Sequence, residues 1–304
     1  MLSMWQDWKY GYETYLGFEK AASENTKDAY VRDLNIFLKF LDENYESLSP
    51  ENVNLNHIEE FMSYVFDLGL SSRSQARILS GIKAFFKYLI IEDVIEENPT
   101  HLIEGPKLTR KIPDTLSIEE IELMFSVMDM SKKSNVRNRA MLETLYGCGL
   151  RVSELINLKI SCLFIDEGII KVVGKGDKER LVPIGDTAVK HIKIYMNTIR
   201  RFQNINDDYR DYLFLNRLGK KLTRVMVFMV IKDLAKAAGI KKSVSPHTFR
   251  HSFATHLIEG GAGLRAVQQM LGHQSITTTE IYTHVDQSHL RDTLIMHHPR
   301  FMRG

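Results

Sequence analysis

A proline-rich break divides the chain into two segments that must fold separately. Of the seven prolines among the 304 residues, three lie between residues 92 and 115, together with Gly105. Each proline disfavours the helical conformation for the residue before it, so this stretch is predicted to be an extended linker. We therefore predict an N-terminal domain over residues 1–91, a linker over residues 92–115 and a second domain over residues 116–304.

The first segment has the apolar periodicity of helices. Its apolar residues recur at intervals of three and four, which places them on one helical face. The two clearest sets are Tyr30, Leu34, Phe37, Leu38 and Leu41, and later Ile78, Ile82, Phe85, Phe86 and Leu89. With an opening helix around residues 5–18 and a shorter helix after Asn56, the pattern predicts a small four-helix domain.

The second segment combines helices with one small β-element. Residues 169–173 and 180–184 flank the glycine-rich turn GKGD, which predicts a β-hairpin. Ser117 and Glu120 form a capping-box pattern at the start of one helix. Further helices are predicted over residues 186–202, 223–238, 247–259 and 264–271. The predicted fold class is therefore mainly α with a small β-hairpin, in two domains.

The distribution of charge indicates a polyanionic partner. Residues 1–105 contain 9 basic and 18 acidic side chains, a net charge of −9, whereas residues 106–304 contain 31 and 20, a net charge of +11. A basic surplus of that size is typical of domains that bind nucleic acid, although an ordinary solvated surface would give the same count. In the acidic segment, one helix is predicted to carry a local basic face formed by Arg73, Arg77, Lys83 and Lys87.

Composition argues against several other classes of protein. No apolar run approaches the roughly 20 residues that a membrane span needs, and the N-terminus lacks the pattern of a secretion signal. The two cysteines, Cys148 and Cys162, are too few for a disulfide scaffold and are typical of a reducing cytoplasm. We therefore expect a cytoplasmic protein with no membrane partner, in which Cys148 is a small packing residue.

Residues suited to phosphate chemistry cluster in the second segment, where eight of the eleven histidines lie beyond residue 246. Ser245 and Pro246 are a good helix start, which places His247 and Arg250 on one face near an N-terminus that attracts anions. Arg151 opens another helix after a flexible glycine-flanked cysteine. An arginine offers two phosphate oxygens a planar fork that is always charged.

The remaining members of this constellation follow glycines or begin short helices. Lys175 lies in the glycine-rich turn, Gly272 ends a helix directly before His273, and a capping box at residues 277–280 places Tyr282 on a new helix. The set supplies charge stabilisers, proton-transfer groups and an oxygen nucleophile. No carboxylate cluster suited to Mg²⁺ accompanies it in the sequence, which favours phosphoryl transfer by positioning and electrostatics.

Two other kinds of site are disfavoured by residue spacing. His247, His251 and His256 lie four and five residues apart, which does not keep all three on one helical face, and no HExxH pattern occurs. The turn GKGDKER lacks the GxxxxGK[ST] pattern of a nucleotide-binding loop. We therefore expect no metal site and no cofactor, and assign His251, His256 and His284 to structural or supporting roles.

Five motifs together resemble the tyrosine recombinase (phage integrase) family, and within it the Xer-type recombinases. They are GLRVSEL (149–155), GKGDKERLVP (174–183), SPHTFRHSFATHL (245–257), LGHQSITTTEIYTHV (271–285) and HHPR (297–300). The resemblance covers nearly the whole chain. It implies a helical, SAM-like core-binding domain and a catalytic domain that close as a clamp on duplex DNA.

The resemblance also assigns the chemistry residue by residue. The catalytic positions fall on Arg151, Lys175, His247, Arg250, His273 and Tyr282, with Glu154 in support. In such enzymes the tyrosine attacks the scissile phosphate, forms a 3′-phosphotyrosyl bond and releases a 5′-hydroxyl. The lysine is then expected to be the general acid, and His247 the base or an orienting group. No cofactor takes part.

The implied role is resolution of chromosome dimers at cell division, by a homo- or hetero-tetramer on its DNA site. A paralogous recombinase and a cell-division DNA translocase are further expected partners. The C-terminal stretch with Leu290, Leu294 and Ile295 is expected to dock on a neighbouring protomer, or else on its own domain. A mobile-element integrase, a type IB topoisomerase and a non-catalytic DNA-binding regulator remain alternatives.

Overall fold

The computed structural model describes residues 2–18, 24–108, 114–174, 177–272 and 284–301. It is mostly helical with one small antiparallel sheet, as the sequence predicts, and it divides into two compact units, residues 1–111 and 112–304. No helix among the described residues is both long and apolar enough to cross a membrane. Each unit has its own hydrophobic core.

The N-terminal unit contains the four predicted helices, α1 (Leu2–Phe18), α2 (Glu24–Asn44), α3 (Leu55–Asp67) and α4 (Ser72–Ile91). α4 begins where Ser71 accepts a hydrogen bond from the backbone N–H of Ser74 over 3.3 Å. The periodic apolar residues of α2 and α4 form the core together with α1 and α3. Aromatic rings fill much of its centre; Trp5, Tyr12, Phe37, Phe61, Phe85 and Phe86 are all buried there.

The predicted basic face of α4 is smaller than expected. Arg77 pairs with the buried carboxylate of Asp33, and the Lys83 ammonium donates to the carbonyl of Ile103 over 2.7 Å. Both cations are therefore used within the unit. Of the four predicted side chains, Arg73, Arg77 and Lys87 are exposed on this helix, with Arg77 paired to Asp33.

The second unit contains eight α-helices and three strands among its described residues. The helices are α5 (Ile118–Ser126), α6 (Lys133–Gly147), α7 (Val152–Ile156), α8 (Asp186–Thr198), α9 (Arg224–Ala237), α10 (Pro246–Glu259), α11 (Leu264–Leu271) and α12 (His284–His297). The strands are β1 (Leu163–Phe164), β2 (Ile169–Val173) and β3 (Glu179–Pro183), joined antiparallel in the order β1-β2-β3. The predicted hairpin is confirmed as β2 and β3, with Ile170 opposite Val182. β1 and α6 were not predicted.

Two of the three apolar residues named for the C-terminal stretch pack on its own unit. Leu290 and Leu294 are buried in the core of the second unit. Beyond α12, one guanidinium nitrogen of Arg300 lies 2.7 Å from the carboxylate of Glu122, and its Nε lies 3.0 Å from that of Glu143. Ile295 is 44% exposed, so docking of this stretch on a neighbouring protomer stays a prediction.

His298 makes the stability of this tail sensitive to acid. Its ring is fully buried, and Nδ1 accepts a hydrogen bond from the backbone N–H of Arg300 over 3.2 Å. Burial, followed by the nearby charges of His256 and Arg300, lowers the pKa of His298 to about 3 from 6.5. Between these two values the unfolded chain binds a proton that the folded chain does not, so stability is lost as the pH falls.

We expect His298 to remove about 2 kcal/mol of unfolding free energy between pH 7 and pH 5, because each pH unit below 6.5 costs about 1.4 kcal/mol. Urea unfolding of the wild type and of His298→Phe at both pH values measures the effect. Phenylalanine cannot titrate, so the difference between the two proteins isolates this residue from other groups. An equal acid loss in both proteins would contradict the prediction.

Candidate active site

Arg151 follows a turn that requires glycine. Gly149 has a φ of +57°, and a Cβ atom there would lie 2.4 Å from the ring of Phe253. The chain turns closely against α10, and α7 begins with Arg151 as its N-cap residue. The backbone N–H of Arg151 donates to Glu154 Oε2 over 2.7 Å, and its guanidinium donates to Oε1 over 2.9 Å. A further guanidinium nitrogen donates to the carbonyl of Gly272 over 3.2 Å.

Arg250 is a buried arginine on α10 that joins the same elements. Its guanidinium donates to the carbonyl of Gly149 over 2.6 Å and to the carbonyl of Leu271. The same group lies 3.8 Å from Glu154. Burial, followed by the positive charge of Arg151, lowers the pKa of Arg250 to about 10, so the side chain remains charged at neutral pH.

His247 lies on the first turn of α10, near the predicted helix start. Ser245 is the N-cap residue and accepts a hydrogen bond from the backbone N–H of Thr248 over 3.3 Å. The His247 side chain is exposed. One helix end therefore carries an exposed imidazole and, three residues later, the buried guanidinium of Arg250.

Arg180 is the member of this cluster that the sequence analysis missed. It lies on β3 and is buried, with two guanidinium nitrogens donating to the two carboxylate oxygens of Glu154 over 2.6 and 2.9 Å. Its Nε donates to the carbonyl of Met270 over 3.1 Å. Strand alternation places Arg180 on the same face as buried Val182. That signal could have identified it, because an arginine on the buried face of a strand needs a charged or hydrogen-bonding partner.

The cluster leaves a surplus of positive charge next to solvent. Arg151, Arg180 and Arg250 surround the single carboxylate of Glu154, which gives two net positive charges. Although burial opposes it, hydrogen bonding to Arg180 and Arg151 lowers the pKa of Glu154, so the carboxylate stays ionised. The Arg151 side chain is 38% exposed, against 9% for Arg250 and 7% for Arg180. Such a fixed, partly exposed charge can stabilise an anion without rearranging.

Of the seven predicted site residues, the structure brings together Arg151, Glu154 and Arg250, and it places His247 at the end of the same helix as Arg250. The three others, Lys175, His273 and Tyr282, lie outside the described residues.

The supporting histidine and cysteine behave as predicted where the structure describes them. His256 is buried, and its Nδ1 lies 2.8 Å from the hydroxyl of Tyr146, as expected of a structural residue. Cys148 is fully buried, and burial raises the pKa of its thiol to about 12, which is typical of an unreactive packing residue.

Comparison with known sequences covers both units. Residues 114–289 match the model of the phage integrase family, and residues 10–93 match that of the phage integrase N-terminal SAM-like domain. The chain is 42% identical over 291 residues to the tyrosine recombinase XerD of Staphylococcus epidermidis, which covers 95% of this chain and 98% of that protein. The tyrosine recombinase XerD of Staphylococcus aureus gives the same identity and coverage.

A solved structure agrees with these matches. The crystal structure of the XerH site-specific recombinase bound to a palindromic difH substrate, a post-cleavage complex, is 26% identical with a TM-score of 0.71. The match covers 95% of this chain and 84% of that one. The described fold, the motifs and the family-model matches lead to one assignment: the chain is a tyrosine recombinase and belongs to the phage integrase family.

Proposed function

We propose that this recombinase exchanges DNA strands with Arg151, Lys175, His247, Arg250, His273 and Tyr282. The Tyr282 oxygen attacks a scissile phosphorus, and the bond to the 5′-oxygen breaks as the 3′-phosphotyrosyl bond forms. Lys175 supplies the proton that the departing 5′-oxygen takes up, and His247 accepts or orients the tyrosine proton. Attack by the 5′-hydroxyl of another strand reverses the step and releases the tyrosine. One phosphodiester replaces another, so the exchange is energetically balanced.

The arrangement of Arg151 and Arg250 around Glu154 carries this proposal. Both guanidinium groups are held in place by hydrogen bonds to the backbone, and they share one carboxylate. A phosphate in the transition state gains negative charge on its non-bridging oxygens, which fixed cations stabilise. His273, which follows Gly272 in the sequence, is the third expected donor to those oxygens.

We further propose a division into a core-binding domain over residues 1–91, a linker over 92–115 and a catalytic domain over 116–304. The two family-model matches, over residues 10–93 and 114–289, support this division. The relatives named XerD, at 42% identity over nearly the whole chain, favour chromosome-dimer resolution over the integration of a mobile element. We propose that four protomers, with or without a paralogous recombinase and a DNA translocase, act on the chromosome in the cytoplasm at cell division.

Covalent capture tests the function directly. The protein is incubated with a pool of random-sequence duplexes, each of which carries one nick. Loss of the short 5′-hydroxyl fragment then traps the phosphotyrosyl adduct, and sequencing of the attached DNA identifies the site. We expect enrichment of one sequence with two half-sites. Failure to form an adduct with any duplex would refute catalysis and favour a non-catalytic DNA-binding regulator.

A strand-exchange assay on the recovered site separates recombination from topoisomerase activity. Two differently labelled duplexes should yield recombinant strands. Relaxation of supercoiled plasmid without recombinant products would instead assign the chain a type IB topoisomerase activity, in which the cleaved strand is resealed to itself.

DNA affinity should fall steeply with salt, because each neutralised phosphate releases condensed counterions. The second segment has a net charge of +11, and Arg73 and Lys87 remain exposed on α4. We expect Arg73→Ala and Lys87→Ala each to reduce the slope of log affinity against log salt by about 1. Binding titrations from low to physiological salt measure the slopes.

Lys39→Ala is the matched control for these lysine and arginine variants. Lys39 lies on α2 and pairs with Glu43 over 3.5 Å, so its charge is already balanced. Its removal should leave the slope unchanged. A flat salt dependence of the wild type would contradict the proposed binding of duplex DNA through its phosphates.

A further inference from the structure

Arg180 has no role in the proposed chemistry, yet its guanidinium group contacts Glu154 more extensively than the guanidinium groups of Arg151 and Arg250 do. It binds both carboxylate oxygens, whereas the Arg151 guanidinium binds one and Arg250 lies 3.8 Å away. Its side chain is 7% exposed, so it lies behind the site rather than at its surface. Arg180 therefore does not present its charge to solvent as Arg151 does.

Three segments that lead to the proposed catalytic residues meet at this guanidinium. The first is the start of α7, through Glu154. The second is the end of α11, because Nε donates to Met270 over 3.1 Å and a Cβ atom on Gly272 would lie 3.1 Å from Arg180 Cδ. The third is the end of β2, because a Cβ atom on Gly174 would lie 3.8 Å from an Arg180 nitrogen and 3.7 Å from Glu154 Oε1. Gly174 and Gly272 directly precede two proposed catalytic residues in the sequence.

The charge of Arg180 also determines how much positive charge the site offers. With Arg180, three guanidinium groups face one carboxylate; without it, two remain, and the net charge falls from two to one. Glu154 would then draw Arg151 and Arg250 toward itself, because a buried carboxylate must be paired. Less charge would remain for a phosphate, although neither of the arginines that face it had been changed.

We propose that Arg180 is a positioning residue for DNA cleavage. By binding both oxygens of Glu154 and the Met270 carbonyl, it leaves the charges of Arg151 and Arg250 available to the scissile phosphate and fixes the end of α11. This inference rests on the proposed function. A purely structural role would slow cleavage of every substrate equally. The proposed role predicts that losing Arg180 slows cleavage more when the scissile phosphate is charged.

The test compares Arg180→Met, Arg180→Lys and the double variant Arg180→Met/Glu154→Gln on the nicked duplex recovered by covalent capture. Adduct formation is measured at saturating protein on the natural phosphate and on a methylphosphonate at the scissile position. A methylphosphonate has one fewer charged oxygen and needs less cationic stabilisation. We expect Arg180→Met to slow cleavage by about 100-fold on phosphate, the scale of losing one preorganised donor, and by about 10-fold on methylphosphonate.

The double variant tests the charge argument. Neutral glutamine no longer competes for Arg151 and Arg250, so two positive charges are again available to the phosphate. We expect the double variant to cleave the natural phosphate about 10-fold faster than Arg180→Met. Arg180→Lys keeps the charge but loses the two-pronged contact, so its rate should fall between those of the wild type and Arg180→Met.

Arg200→Met is the matched control for loss of a buried arginine. Arg200 is 9% exposed, and its guanidinium donates to the carbonyls of Arg210 and Tyr212 rather than to Glu154. Thermal melting and DNA affinity are recorded for all variants. Arg200→Met should lower the melting temperature. Its cleavage rate relative to the wild type, however, should be the same on phosphate and on methylphosphonate.

Several outcomes would overturn the inference. An unchanged rate for Arg180→Met on phosphate would do so, as would equal deficits on phosphate and methylphosphonate, which indicate a purely structural role. If Arg180→Met does not fold, the same comparison is made with Arg180→Lys, whose losses of cleavage rate on phosphate and on methylphosphonate are measured. If the wild type forms no adduct, the proposed function itself is refuted. If the wild type cleaves and the Arg180 variants cleave at the same rate, only the role of Arg180 is refuted.

Discussion

Replacing Tyr282 by phenylalanine is expected to abolish the covalent protein–DNA complex while leaving DNA affinity nearly unchanged. The change removes the attacking oxygen and keeps the aromatic ring, so packing should survive while the nucleophile is lost. Tyr282 follows His273 by nine residues and comes after a capping-box pattern, which is how a short helix would present it to the site. Denaturing gels of the protein on a nicked duplex measure the adduct, and a binding titration measures affinity.

Tyr212→Phe provides a matched control for loss of a tyrosine hydroxyl in the same unit. The Tyr212 ring packs against Tyr209, with centroids 5.7 Å apart, and the Lys221 ammonium lies 5.4 Å from its centroid. These contacts use the ring, so the variant should cleave at the wild-type rate. An adduct formed by Tyr282→Phe would show that another group is the nucleophile.

The helices that sequence periodicity predicted share one property: a polar face beside an apolar one. α6 lacks that contrast, which is why the pattern missed it. From Asn138 to the end of the helix every residue except Arg139 is buried, including the polar residues Asn138, Glu143 and Thr144. Glu143 is paired there by Arg139 over 2.8 Å and by Arg300 over 3.0 Å. A helix buried all round has no amphipathic signal, and partners from the far end of the chain are not visible in a local window.

The site residues, too, could be predicted where nearby sequence features place them, but not where contacts distant in the sequence do. Arg151 and Arg250 could be identified because the features that place them, Gly149 and the Ser245 cap, lie within a few residues of each in the sequence. Arg180 is 26 residues from Glu154, and only the folded hairpin brings them together. The motifs therefore named the residues that are proposed to contact the phosphate, but not the buried arginine behind them.

The second large effect concerns Lys175, whose proposed role is to protonate the departing 5′-oxygen. Lys175→Ala should slow cleavage of a natural phosphodiester by about 10²- to 10⁴-fold, the usual contribution of a general acid. Sulfur is a better leaving group than oxygen and departs without a proton. On a duplex with sulfur at the bridging 5′ position, the variant should therefore recover most of the wild-type rate. Single-turnover adduct formation on the two duplexes measures the recovery.

Arg151→Ala is the contrasting variant, because an arginine stays charged and does not donate its proton at neutral pH. Arg151 lies at the exposed edge of the cluster around Glu154, and its proposed role is to stabilise the non-bridging oxygens, which the sulfur substitution leaves in place. Its loss should therefore slow cleavage on both duplexes alike. Equal deficits for Lys175→Ala on oxygen and sulfur would remove the general-acid role and leave Lys175 as a phosphate contact. Recovery by both variants would mean instead that the sulfur duplex no longer depends on catalytic groups at all.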